Sequence, residues 1–255
     1  DGENWEPFQQ NLPVTPVTDL KVYRGDLIIS TMGRGFWILD NVSSLNETNN
    51  IANDNHLFKP RDAFRYRYRA SKGNSVPKYP GPSVIVDYYI KDSLDQEISL
   101  NIKNQKDEII YFVSSAKKDT ASDQLDMSTG FVVQISGDSL TKNIGSNRYR
   151  WNMRHTGAWD KDSKKAYLNG PIVKPDKYIA ELIIGNDVKR KNFTIKIDPK
   201  VAGFGVTKAQ LNAQEELSLK VRSLLDKSKK LAYQLEKDDD EKNNEIGRAS
   251  CRERV

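Results

Sequence analysis

Cysteine is nearly missing from these 255 residues, with Cys251 standing alone near the C-terminal end. One thiol forms no intrachain disulfide and cannot assemble a thiolate metal site. Histidine is almost as scarce. His56 and His155 lie far apart and neither has a cysteine beside it, so no metal centre is expected. Long apolar runs are missing too: nothing approaches the roughly 18 residues of a membrane helix, and no membrane span is expected. Charge of one sign is in short supply. The 40 Lys and Arg against 35 Asp and Glu leave a formal +5, interspersed along the chain, which argues for a solvated surface and against nucleic acid as a partner. Hydrophobic residues make up 37% of the chain, low enough to point to the thin core of layered β structure.

What is present falls into three regions. In residues 1–70, Val17–Tyr23, Leu27–Thr31 and Phe36–Leu39 read as strands. The turns Arg24-Gly25-Asp26 and Gly33-Arg34-Gly35 join them, which predicts an antiparallel meander. A polar loop follows, and then Phe64, Tyr66 and Tyr68 alternate with arginines. The stretch 71–82, with Gly73, Pro77, Pro80, Gly81 and Pro82, is expected to be a linker. Residues 83–200 contain about seven alternating strands. Among them, Ile98, Leu100 and Ile102 stand between Ser99, Asn101 and Lys103, and Tyr149, Trp151 and Met153 stand between Arg150, Asn152 and Arg154. Alternation of this kind means one buried and one wet face, and so many strands predict a β-sandwich of immunoglobulin or fibronectin type.

The third region is a helix expected over 207–237. Thr207-Lys208-Ala209-Gln210 has the form of a capping box, and no Pro or Gly follows until Gly247. Leu217, Val221, Leu224, Leu231 and Leu235 fall on an a/d-like seam, broken by Ser228, that suits packing on a partner surface. The acidic run Asp238–Glu241 is unfavourable at a helix C-terminus and is expected to be a solvated end or loop. Residues 246–255, I-G-R-A-S-C-R-E-R-V, resemble a translated sequencing adapter and are expected to be a disordered artefact. Without them the formal charge falls to +3 and cysteine disappears.

Few residues qualify as functional. The Gly33-Arg34-Gly35 turn lacks the third glycine and following helix of a dinucleotide loop, so no cofactor is expected, and its glycines suit positive φ in a hairpin. Arg34 is a candidate contact for a carboxylate or sugar. Tyr89 and Trp159 are candidate sugar-stacking contacts, whereas alternation sends Tyr88 and Trp151 inward. No carboxylate pair and no His–carboxylate or Ser–His pairing stands out, so no catalytic site is expected.

Several segments resemble a known family. Asp1-Gly2-Glu3-Asn4-Trp5 resembles the tail of an Asp-box turn. V-T-P-V-T-D-L-K-V (Val14–Val22), D-L-I-I-S-T-M-G-R-G-F-W-I-L-D (Asp26–Asp40) and L-F-K-P-R-D-A-F-R (Leu57–Arg65) resemble the closing blade of bacterial propellers with sortilin-like neuraminidase repeats, often labelled glycosyl hydrolases. G-S-N-R-Y-R-W-N-M-R (Gly145–Arg154), G-P-I-V-K-P-D-K-Y-I-A (Gly170–Ala180) and I-D-P-K-V (Ile197–Val201) are similar to later motifs of that family, in the same order. Met32 and Asp176 depart from it, where His and Gly are usual. The resemblance implies a C-terminal fragment of a periplasmic or extracellular protein. Its parts would be a truncated last propeller blade at 1–70, a β-sandwich, and the start of a helical segment. The implied role is structural and ligand-presenting, with a glycan or protein as ligand and intramolecular contacts to missing blades. The alternatives are a glycoside hydrolase with its carboxylates in upstream blades, and a peptide-binding propeller.

Overall fold

The computed structural model describes the chain except for residues 1, 2, 4, 6, 49–53, 67, 69–80, 117–124, 127–130, 133–138, 163–165 and 253–255. The fold is mainly β, with a long C-terminal helix. It divides into two compact units, Asp1–Asp54 and Asn55–Val255.

The first unit is the predicted meander: β1 (Val17–Tyr23), β2 (Asp26–Thr31) and β3 (Phe36–Leu39) pair antiparallel in the order β1-β2-β3. A single turn, α1 (Leu45–Thr48), follows. Gly25, Gly33 and Gly35 all adopt positive φ, as the hairpin reading requires. The backbone carbonyl of Gly35 accepts hydrogen bonds from both the N–H and the hydroxyl of Thr31. Register places Leu20, Ile29 and Trp37 on one face with Val22, Leu27 and Leu39, and Ile28, Phe36 and Ile38 on the other. Large apolar side chains therefore stand exposed on both faces, although Asp19, Lys21 and Ser30 share the second: Leu20 and Val22 are 63% and 60% exposed, Phe36 and Ile38 81% and 62%. The Asp-box residues Asp1, Gly2 and Asn4 lie outside the described residues, while Trp5 is exposed.

The second unit holds two larger sheets. One has the order β11-β6-β4, from β11 (Gly145–Trp151), β6 (Val84–Ile90) and β4 (His56–Leu57). The other has the order β5-β13-β12-β7-β8, from β5 (Ala63–Arg65), β13 (Asp187–Ile197), β12 (Lys177–Ile184), β7 (Ile98–Lys103) and β8 (Ile109–Ser114). A short hairpin pairs β9 (Leu125–Asp126) with β10 (Phe131–Val132), and Val133 and Ile135 of the strand expected there lie outside the described residues. The two large sheets share one core. Val84, Val86 and Tyr88 of β6 meet Leu100, Ile102, Ala180 and Leu182 from the opposite sheet, all sealed from solvent. Trp151 anchors it, 1% exposed, with its ring against Tyr111, Tyr178 and Phe193.

One expectation about a boundary changes. The segment 55–65, read from sequence as the end of the first region, belongs to the second unit. His56 and Leu57 pair with Tyr89 and Tyr88, and β5 pairs parallel to β13. The border between units thus falls at 54/55, ahead of the expected linker, of which residues 71–80 lie outside the described residues. The local alternation of Phe64, Tyr66 and Tyr68 with arginines could not say which distant strand this segment joins.

After α2 (Pro199–Gly203), capped by Asp198, comes α3 (Lys208–Arg252). The capping box forms as expected: the Gln210 N–H donates to Thr207 Oγ1 at 3.3 Å and the Thr207 N–H to Gln210 Oε1 at 2.9 Å. The helix does not stop near residue 237. Its backbone continues as helix through the acidic run to Arg252, which corrects the expectation of a loop there; residues 253–255 of the expected decapeptide lie outside the described residues. In a longer helix the acidic run is no longer at the end of the dipole. Gly247 is the only poor helix former beyond it, at about 1 kcal/mol.

Candidate functional site

The densest cluster of buried polar groups outside the sheets lies where α3 meets two loops of the second unit. Trp151 ends β11 inside the core, and its indole N–H donates to the Arg154 carbonyl at 2.9 Å. Between them Met153 takes a positive φ of 57°, unusual for a bulky residue, and turns the chain. The segment after it runs beside residues 166–173. His155 N–H donates to the Pro171 carbonyl at 2.8 Å, Val173 N–H to Met153, and Gly157 N–H to Tyr167. This approach is too close for side chains. A Cβ on Gly170 would fall 2.0 Å from the His155 carbonyl oxygen, and one on Gly157 2.1 Å from that of Leu168. The segments Gly145–Arg154 and Gly170–Ala180, singled out by the resemblance, are thus pinned to each other.

This pairing aims the His155 side chain at α3. Its Nε2 lies 2.8 Å from Glu215 Oε1, and the Lys174 N–H donates to the same oxygen at 3.0 Å. Both side chains are buried. Burial pushes the Glu215 carboxyl up, but the bonds from His155 and Lys174 outweigh it and hold the group below its ordinary range. An ionised carboxylate only accepts, so Nε2 carries the proton. Arg65 stands nearby, its Nη2 donating to Gln214 Oε1 at 2.6 Å. Burial lowers its pKa, and Glu215 partly offsets this. Burial, then Glu215 and Asp176, raise the Tyr178 phenol, whose hydroxyl donates to the Lys174 carbonyl.

Further along, Arg222 donates to the Thr156 carbonyl at 3.0 Å, and Asp226 accepts the Trp159 N–H at 2.9 Å. Lys229 pairs with Asp160 and Glu236 with Lys161, both at 2.7 Å. The Trp159 ring leans on Tyr233, centroids 5.4 Å apart. A cleft of about 1100 Å³ opens beside the His155–Glu215 pair, lined also by Asn101, Glu108, Tyr167 and Asp226.

The chemistry available here is limited. A His–carboxylate pair can orient a base for a nucleophile, but the only hydrogen bond that the His155 ring makes among the described residues is to Glu215. Glycoside cleavage needs one carboxyl kept protonated as acid. The buried Glu215 and the half-buried Asp226 of the cleft are held low instead: in Asp226, burial is outweighed by bonds from Lys230 and the Trp159 N–H. Among the described residues no group of three or more His, Cys, Asp or Glu side chains is placed to hold a metal. The arrangement is a polar clasp that fixes the helix to the β body.

The sequence candidates are scattered. Arg34 is exposed at the β2–β3 turn of the first unit, where its carbonyl accepts the Trp37 indole N–H. Tyr89 is half-buried on β6, paired with His56 and Ser146. Trp159 is engaged by the helix. No ring contact joins Tyr89 and Trp159 among the described residues. Tyr88 and Trp151 are buried, as the alternation required. The expected absence of a His–carboxylate pairing is corrected by His155–Glu215, whose partners stand 60 residues apart on no motif spacing. A second correction concerns β7. Its second face was expected to be wet, yet Asn101 and Lys103 are buried around Glu181 of β12, bonded at 2.9 and 3.0 Å, with Arg190 closing the group. Burial raises the Glu181 carboxyl, but these donors outweigh it and hold the group low.

No family model, curated protein or solved structure matches this chain.

Proposed function

We propose that this chain is the structural and ligand-presenting C-terminal part of a periplasmic or extracellular propeller protein with sortilin-like neuraminidase repeats. In this reading the first unit is a propeller blade, the second an immunoglobulin-like sandwich braced by the clasped helix, and neither is catalytic. One observation carries the reading: the β1–β3 sheet has large apolar side chains exposed on both faces. A free-standing antiparallel sheet usually presents one polar face to water, whereas a blade stacked between neighbours needs apolar groups on both. Arg34, at a turn of that sheet, and the half-buried Tyr89 are the candidate contacts for a glycan or protein ligand.

Two measurements test this. A hydrophobic dye should bind the chain and lose most of its signal when Leu20→Lys and Phe36→Lys place a charge on each face. Unchanged dye binding would remove the blade reading. A panel of aryl glycosides should show no turnover above buffer. Turnover abolished by Glu215→Gln would place an active site in this chain and overturn the non-catalytic role.

A further inference from the structure

The clasp leaves the opposite side of α3 unused. Gln214, one turn before the seam begins, still bonds Arg65 of the β body. From there on, counting heptads with Leu217 at d, the residues that reach the body are Glu215, Arg222, Lys229 and Glu236 at b, and Asp226 and Tyr233 at f. Positions a and d lie about 150° around the helix from the middle of that face, at 100° per residue. They hold Leu217, Leu224 and Leu231 at d and Val221, Ser228 and Leu235 at a. The five apolar ones are 56 to 67% exposed. Leu225, at e, widens the seam and is 44% exposed. A helix packed on a globular core shows a broad apolar stripe turned inward, but here the inward stripe is largely polar and the outward seam is a strict four-three repeat.

We propose that this seam pairs with the same seam of a second copy, as a parallel two-stranded coiled coil. Leu at d with Val at a favours two parallel strands, and one polar residue at a, Ser228, fixes the register. Charge favours the same orientation. The g positions Lys220 and Lys227 would face Leu225 and Ala232 of a parallel partner. In an antiparallel pair they would face each other, lysine against lysine. Each β body sits on the far side of its own helix, so two-fold pairing brings the helices together without the bodies colliding. The seam spans less than three heptads, so the dimer is expected to be concentration-dependent. The inference rests on α3 alone and stands apart from the propeller reading.

Sedimentation of the intact chain over a concentration series tests it. Mass should rise toward twice the monomer's, and Leu224→Glu with Leu231→Glu should hold the chain monomeric with unchanged circular dichroism. Ser228→Leu should tighten the dimer at least about tenfold, by roughly 1.4 kcal/mol. In a Cys251→Ser background, Ser228→Cys should oxidise to a disulfide-linked dimer, since a meets a only in the parallel arrangement. A chain that stays monomeric at the highest attainable concentration overturns the proposal. So does a dimer that is insensitive to the Leu224 and Leu231 changes, or one whose Ser228→Cys form does not cross-link.

Discussion

Strand β1 carries Leu20 and Val22 on one face, and strand β6 carries Val84, Val86 and Tyr88 on one face. The first pair is more than half exposed and the second set is sealed. Both strands are antiparallel, both alternate, and both have hydrogen-bonded neighbours. They differ in cover, because β6 faces the five-stranded sheet across a shared core whereas β1–β3 has no second sheet among the described residues of its own unit. Alternation encodes a demand for a partner layer, and the stability of a sheet depends on whether that demand is met.

The largest test of this difference is at the aromatic anchors. Trp151→Ala should cost about 3–5 kcal/mol in urea unfolding, since it removes a fully buried ring. Phe36→Ala, 81% exposed, should cost under about 0.5 kcal/mol. A loss below about 1 kcal/mol at Trp151 would break the comparison. Next comes the clasp. Glu215→Ala strips the buried His155 of its acceptor and should cost about 3 kcal/mol, with α3 losing amide protection first. Glu236→Ala, at an exposed ion pair, should leave the midpoint where it was.

A pH series sharpens the same contrast. Glu215, Glu181 and Asp226 are all held below their ordinary range in the folded state. Their contribution is therefore complete above the unfolded carboxylate pKa of about 4 and is lost as pH falls through the lower folded values. The second unit should weaken steeply below about pH 4, and Glu181→Gln or Glu215→Gln should flatten that slope. Acid loss of equal steepness in those variants would contradict the assignment. The smallest effect is at the cap, where Thr207→Ala should cost about 1 kcal/mol, measured as fraying of the first turn of α3.

Much of the local structure was legible because it rests on short-range physics. Turn glycines, alternation and a capping box act within a few residues, so the meander, the inward Tyr88 and Trp151, and the start of α3 follow from the sequence directly. What failed depended on contacts distant in sequence. Nothing within 55–65 says that it closes the second unit, and nothing near His155 announces Glu215. Asn101 and Lys103 read as a wet face because alternation is silent about a buried carboxylate arriving from β12. The end of α3 differs from expectation for another reason: an acidic run opposes the dipole only where the helix ends, and the helix runs on past Glu241. Of the candidate residues, Arg34 lies on the exposed turn expected of it, Tyr89 is half-buried, and Trp159 is taken up by the helix.

Native-state hydrogen exchange tests most directly the claim that the first unit is an uncovered layer and the second a complete one. Amides of β6, β7 and β12 should exchange only with global unfolding, while those of β1–β3 open at a small fraction of that free energy. Protection of β1–β3 equal to that of β6 and β12 would contradict the account, because a sheet exposed on both faces could not then be as stable as one sealed inside a shared core.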